Sequence, residues 1–206
     1  MIVTNKFIWF HFGKTGGNMF HYLMNTYYKN EIVFQHDVSD PEKHLRPCEV
    51  PQEYSRIKNY VIGFRRLSSW LISHNRHHNI CYDPPETIHL PVEEVIEATK
   101  KGKMIMRGEV TDHKPDEMMV NYEIPSNNFE FIRQESLLSD FFILTSKYFE
   151  ANKSILNDTS VIHKNNTKQH VVLDEKDNAY LYKLNPLWAE KEHGLYSRTE
   201  QGAFTK

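Results

Sequence analysis

A chain of 206 residues that is 39% apolar and 25% charged has the make-up of a soluble globular protein, with length for one sizeable core rather than two. Its 25 Lys and Arg against 27 Asp and Glu give a formal charge of -2, which excludes the overall basic field that draws nucleic acid or an anionic membrane, so any anion site must be local. No run of about 18 apolar residues occurs, excluding a transmembrane helix, and no leader pattern stands at the start, so a cytoplasmic protein is expected. Cys48 and Cys81 are then two reduced thiols.

The elements alternate in type. Residues 6–12 read as a short buried strand ending at Gly13, and 17–29 as a helix with Phe20, Leu23, Met24 and Tyr27 at helical spacing. Residues 31–35 form a second strand, and the charged, proline-bearing stretch 37–51 a loop. "YVIGF" at 60–64 is a third strand running into a helix over 65–78. Prolines break 80–91. The next helix, "PVEEVIEATKKG", carries acids in its first turn, Lys in its last and Gly102 beyond, in keeping with the helix dipole. "FEFIR" at 129–133 is a fourth strand, and a helix follows from Ser136. Residues 161–170 read as a polar loop and 173–194 as a final helix that Pro186 kinks or interrupts. The order predicts a single α/β domain over 1–206 in three layers (α/β/α), with a central parallel sheet of about four to five strands.

The stretch "FHFGKTGGNMF" at 10–20 joins the first strand to the first helix. A glycine-bearing turn that opens a helix gathers backbone N–H groups around one point. The helix dipole adds roughly half a positive charge there, and Lys14 a full one, so the place suits a phosphate or sulfate. A triphosphate loop requires GxxxxGK[ST]. Here its first glycine position is held by Ile8 within the strand, and Gly16 and Gly17 follow the lysine instead.

After the third strand, "FRRLSSWLIS" places Arg65 at the strand end and Ser73 eight residues on, where cation and hydroxyl could meet one dianion. Taken together, the two segments resemble the sulfotransferase family. "FHFGKTGGN" is similar to its loop "hIPKTGGT", which holds the 5′-phosphosulfate of PAPS (3′-phosphoadenosine 5′-phosphosulfate). "RRLSSWLIS" is similar to RxPxxRxxS, which holds the 3′-phosphate, with Arg65 and Ser73 matching its first Arg and its Ser. Gly13, Asn18, Leu67 and Trp70 depart from the two motifs. "FEFIRQESLLSDF", "VIHKNNTK" and the closing helix resemble three further family segments in the same order.

The resemblance implies a P-loop-like fold and in-line transfer of a sulfuryl group from PAPS to a hydroxyl acceptor, a small molecule or a glycan, with no nucleic-acid partner. It places Lys14 at the bridging oxygen and the amides of Thr15, Gly16, Gly17, Asn18 and Met19 at the phosphate. Arg65 and Ser73 fall on the 3′-phosphate. The general base is His36, at the end of the second strand, or His44 in the loop beyond it; Glu42 and other carboxylates are further candidates. His11 and Glu135 read as structural residues. His74, His77 and His78 have metal-like spacing but read as a helix face, and no metal is expected. A P-loop-type kinase and a non-catalytic nucleotide-binding relative are the alternatives.

Overall fold

A computed structural model describes residues 1–80, 89–160 and 173–202 of the chain. The polar loop expected at 161–170 and Cys81 lie outside them. In chain order the described elements are β1 (Ile2–Thr4), β2 (Ile8–Phe10), α1 (Gly17–Tyr27), β3 (Ile32–Gln35), β4 (Tyr60–Phe64) and α2 (Leu67–Ile80). Then come α3 (Val92–Lys100), β5 (Met104–Met106), β6 (Glu109–Thr111), α4 (Pro115–Asn121), β7 (Phe129–Arg133), α5 (Leu137–Tyr148), α6 (Glu175–Leu184) and α7 (Pro186–Gly202). They group into two compact units, one from 1–65 and 122–160, the other from 66–80, 89–121 and 173–202.

The first unit is built on a five-stranded sheet ordered β3-β1-β2-β4-β7. β2, β4 and β7 are parallel neighbours, while β1 is antiparallel to both β2 and β3. Four strands therefore share one direction and β1 alone is reversed, so the α/β fold has a mixed central sheet. The reversal follows from a tight turn after β1: the Thr4 hydroxyl donates to the Phe7 carbonyl at 2.9 Å and accepts from the Phe7 amide at 2.9 Å. So short a connection can only close an antiparallel pair, because a parallel one needs a crossover.

One sheet face is covered by α1 and α5. Ile2, Trp9, Val61 and Ile132 of the sheet pack with Met19, Phe20, Leu23 and Met24 of α1 and with Leu137, Phe141 and Leu144 of α5. Trp9 stacks on Phe20 with ring centres 4.5 Å apart. Each large apolar side chain so buried contributes about 1.5–3 kcal/mol relative to exposure. Arg133, at the end of β7, ties the strand to α5. Its Nε and Nη2 donate to the Asp140 carboxylate at 2.8 and 2.6 Å, and its amide donates there too at 2.8 Å. With so little of either side chain exposed, removing one partner would strand a buried charge, so this pair fixes where β7 meets its helix.

The second unit is mainly helical. Trp70 of α2 lies 4.7 Å from Trp188 and 4.8 Å from His74, ring centre to ring centre. Asn75 donates to Thr99 Oγ1 and the Lys103 carbonyl and accepts from the Ile105 amide, which pins α2 to α3 and β5. Proline does interrupt the last helix: α6 ends at Leu184, and Pro186 occupies the first position of α7, where its missing N–H costs nothing. The Asp116 carboxylate then accepts from the amides of Leu187 and Trp188 and caps the new start. Among the described residues no helix is long and apolar enough to cross a membrane.

Two core histidines of the first unit set an acid limit. His11 and His21 are each 5% exposed, around Trp9. Burial, the largest cause, holds His11 at about 2 and His21 at about 4, against 6.5 for a free imidazole. Both are neutral in the folded protein and protonate near 6.5 once unfolded, so their contribution to stability is whole above pH 6.5 and declines as pH falls below it. His21→Gln should therefore reduce the stability lost between pH 6.5 and 4 by about 1–2 kcal/mol. Urea unfolding across that range measures it, and an unaltered pH dependence would contradict the assignment.

Candidate functional site

Because β2, β3, β4 and β7 run the same way, their carboxyl ends emerge at one edge of the sheet of the first unit. That edge carries the loop 11–16 after β2, His36 after β3, Arg65 after β4 and Gln134 after β7. The chain passes from β2 to β3 on one side and then to β4 on the other, so β2 is the point where strand order switches. Open α/β sheets bind ligands at such points.

The loop itself is strained and tightly seated. Lys14 has φ 65 and Gly16 φ 90, two left-handed residues on either side of Thr15. For lysine this conformation costs roughly 1–2 kcal/mol, and such strain concentrates at functional sites. The Thr15 hydroxyl donates to the Phe12 carbonyl at 2.6 Å, so it secures the turn, and only the residue's amide remains to meet a ligand. Gly63 of β4 makes room for the loop: a Cβ there would stand 2.5 Å from Thr15 Oγ1 and 2.8 Å from the Thr15 carbonyl.

Electrostatically the place favours an anion. α1 opens at Gly16 with no side-chain cap and no acidic residue in its first turn. The helix therefore leaves its dipole and first N–H groups to an outside acceptor. The Met19 amide already donates to the Gly16 carbonyl at 3.0 Å, which removes it from the set of amides expected to hold a phosphate. The Asn18 side chain is exposed at the helix start. Arg65 Nη1 donates to the Lys14 carbonyl at 3.4 Å, so the loop and this guanidinium are neighbours. Gln134 packs over Gly16, where a Cβ would lie 3.3 Å from its Cγ.

The two candidate bases take different positions. His44 returns from its loop to touch the strand exit: its Nδ1–H donates to the His11 carbonyl at 2.8 Å, and its ring centre is 4.6 Å from that of His11. A Cβ on Gly13 would stand 3.9 Å from His44 Cε1. The Tyr122 hydroxyl braces both segments, within 3.1 Å of the His44 carbonyl and 3.3 Å of the His11 carbonyl. Burial lowers the pKa of His44, partly offset by its bond to His11. His36 lies two strands from β2, a lateral offset of roughly 10 Å. It is 8% exposed, and its Nδ1 stands 3.0 Å from Asp40 Oδ2. Asp40 Oδ1 accepts from the Glu42 amide at 2.8 Å. His36, Asp40 and Glu42 bring one donor atom each within 4.8 Å of one another.

In the second unit, Ser73 sits partly buried on α2. The two motif departures nearby have structural roles. Trp70 is fully buried in the aromatic core and brings no charge. Leu67, standing where the motif has proline, adds an amide, and Glu192 Oε2 accepts from it at 2.8 Å. The rings of His74 and His78 pack 4.2 Å apart, centre to centre, next to Trp70.

Three contributors escaped the sequence reading: Gly63, Tyr122 and Asp40. A glycine inside an apolar strand was a usable signal for Gly63, since such glycines mark close backbone approach. Nothing local marks Tyr122, whose contacts are made across more than 70 residues of chain.

No family model matches the chain, and no curated protein matches it in sequence. Among solved structures it is similar to the crystal structure of mouse sulfotransferase SULT7A1 complexed with PAP, with a TM-score of 0.50 and 12% identity over 98% of this chain and 86% of that one. The fold is thus the P-loop-like α/β fold of a sulfotransferase.

The seating of the loop on β4 is directly testable. Gly63→Ala should force Thr15 away and destabilise the protein by about 1–3 kcal/mol, as overpacking does. That corresponds to a fall in melting temperature of roughly 2–10 °C for a chain of this size. A melting curve matching wild type would contradict the close approach.

Proposed function

We propose that this chain is a PAPS-dependent sulfotransferase, a single domain over 1–206 acting in the cytoplasm on a hydroxyl acceptor of the small-molecule or glycan class. One observation carries the reading. At the switch point of a sulfotransferase-like fold, an uncapped helix start is framed by Lys14 and by Arg65 on the Lys14 carbonyl. These residues fit a phosphosulfate: a ring of amides without acidic neighbours, one ammonium and one guanidinium.

PAPS supplies an activated sulfuryl group on a 5′-phosphate leaving group. The amides of Thr15, Gly16, Gly17 and Asn18 hold that phosphate, with the Asn18 side chain as a further donor. Lys14 offsets the charge that gathers on the bridging oxygen as the S–O bond lengthens. In such a loose, in-line displacement, positioning and charge stabilisation are the main catalytic terms. Arg65 binds the 3′-phosphate, and Ser73 joins it on the strength of the motif spacing. His36 takes the acceptor proton, with His44 as the rival. The stretches 37–58 and 80–125, the least matched to the family motifs, are rich in His, Glu and Tyr, which suits a polyhydroxylated sugar.

Two variants separate binding from chemistry. Lys14→Ala should lower the rate of sulfate transfer by about 10²–10³, the loss of one transition-state donor, while leaving affinity for adenosine 3′,5′-bisphosphate within a few fold. Arg65→Ala should weaken that bisphosphate by about 2–4 kcal/mol in calorimetry, as for one member of a charged pair. Full activity in the first variant, or unchanged affinity in the second, would contradict the assigned role.

A further inference from the structure

The His36–Asp40 contact does more than close a turn. A carboxylate only accepts hydrogen bonds, so at 3.0 Å from Asp40 Oδ2 the imidazole nitrogen Nδ1 must carry a proton. A neutral ring then keeps its lone pair on Nε2. That nitrogen is buried and has no hydrogen-bond partner among the described residues. The ring is held from the side as well, since Phe34 meets it edge-on at 4.9 Å between centres. The carboxylate is itself fixed, because its other oxygen accepts from the Glu42 amide at the start of a short turn of helix. The bonds from His36 and then from the Glu42 amide hold the Asp40 carboxyl below the usual carboxylate range, so it stays ionised beside the ring. Further charged groups surround the pair: Asp37 and Lys43 on the same loop, His21 on α1, and the Met1 amine, whose residue accepts from the His36 amide through its carbonyl at 3.1 Å.

We infer that Asp40 is the positioning residue of the base: it holds His36 in the Nδ1-protonated form, leaves the Nε2 lone pair for the acceptor proton, and stabilises the imidazolium when the proton arrives. The inference deepens the sulfotransferase reading and rests on it for the chemical step. In that step His36 Nε2 takes the hydroxyl proton as the acceptor oxygen forms its bond to sulfur and the S–O bond to the 5′-phosphate breaks. The electron pair of that bond leaves with the phosphate. The positive charge formed on His36 is met by Asp40 with no rearrangement, the same division of labour by which a buried aspartate serves a catalytic histidine elsewhere. The geometry also favours His36 over His44, whose Nδ1 is held by a neutral carbonyl that offers the imidazolium less.

Asp40→Asn isolates this role, because an Asn oxygen can still accept from the Glu42 amide and keep the turn. Asp40→Ser, which retains a cap but no carboxylate, is the second variant should the first fold poorly. Imidazole nitrogen NMR shifts of the ligand-free protein at alkaline pH read the tautomer directly, apart from any activity. Wild type should show a protonated Nδ1 and a bare Nε2 at His36, and both variants should lose that preference. Sulfate transfer should fall by about 10²-fold or more in kcat, the usual worth of a general base, with bisphosphate affinity within about twofold. A wild-type ring protonated on Nε2, or variants that keep wild-type spectra or wild-type kcat, would overturn the inference. A wild-type protein that neither binds bisphosphate nor transfers sulfate would contradict the sulfotransferase reading instead, and the tautomer spectrum would still decide the role of Asp40.

Discussion

The candidate site depends on one close approach, that of the loop after β2 to the backbone of β4. Thr15 can lie against β4 because residue 63 has no side chain, and its hydroxyl is spent on the Phe12 carbonyl to keep the turn closed. That seating puts Lys14 and Gly16 into left-handed conformations and brings α1 in with bare amides at its start. It also leaves the Lys14 carbonyl beside Arg65, the residue that β4 delivers next. The strain in the loop is opposed by the core beneath it, where Trp9 and Phe20 stack and α5 closes over Leu23 and Met24. A rigid floor and a strained loop together hold the loop in one geometry, so the anion site proposed for it would be preorganised.

The same sheet explains how distant parts of the chain reach one edge. Reversing β1 spends three residues on a hairpin and lets β3 align with β2 although the two are not neighbours. Arg65 then lies one strand to one side of the loop and His36 two strands to the other. His44 fills the nearer space and, with Tyr122, ties the strand exit to the loop beyond β3.

Much of this was legible in the chain, and the misses have physical causes. The helices with a clear apolar stripe, α1, α2, α3 and α5, lie where their spacing puts them, within the usual fraying of ends. β1, β5 and β6 have three residues each, too few for alternation to show, and α4 has seven. Pro186 was read correctly as an interruption, but only the fold supplies Asp116 to cap the new helix. Within the site, glycine and lysine alone make "GKTGG" read as an anion loop, and the strain at Lys14 and Gly16 could not be read from them. The commitment of the Met19 amide to Gly16, and of Asp40 to His36, was not readable, because the first depends on the helix's opening turn and the second on a loop without periodicity. Leu67 and Trp70 are departures from the family motif. They are core positions, and Glu192 accepts from the amide that a proline at 67 would have lacked.

The central claim is that the edge of this sheet recognises a nucleotide carrying both a 5′- and a 3′-phosphate. Calorimetric titration of the unmodified protein with adenosine 3′,5′-bisphosphate, adenosine 5′-monophosphate and ATP with Mg²⁺ tests it most directly. The account predicts the tightest binding for the bisphosphate, and a loss of at least about tenfold when the 3′-phosphate is absent, equivalent to about 1.4 kcal/mol. Equal affinity for the bisphosphate and the 5′-monophosphate, or a clear preference for ATP with Mg²⁺, would contradict it.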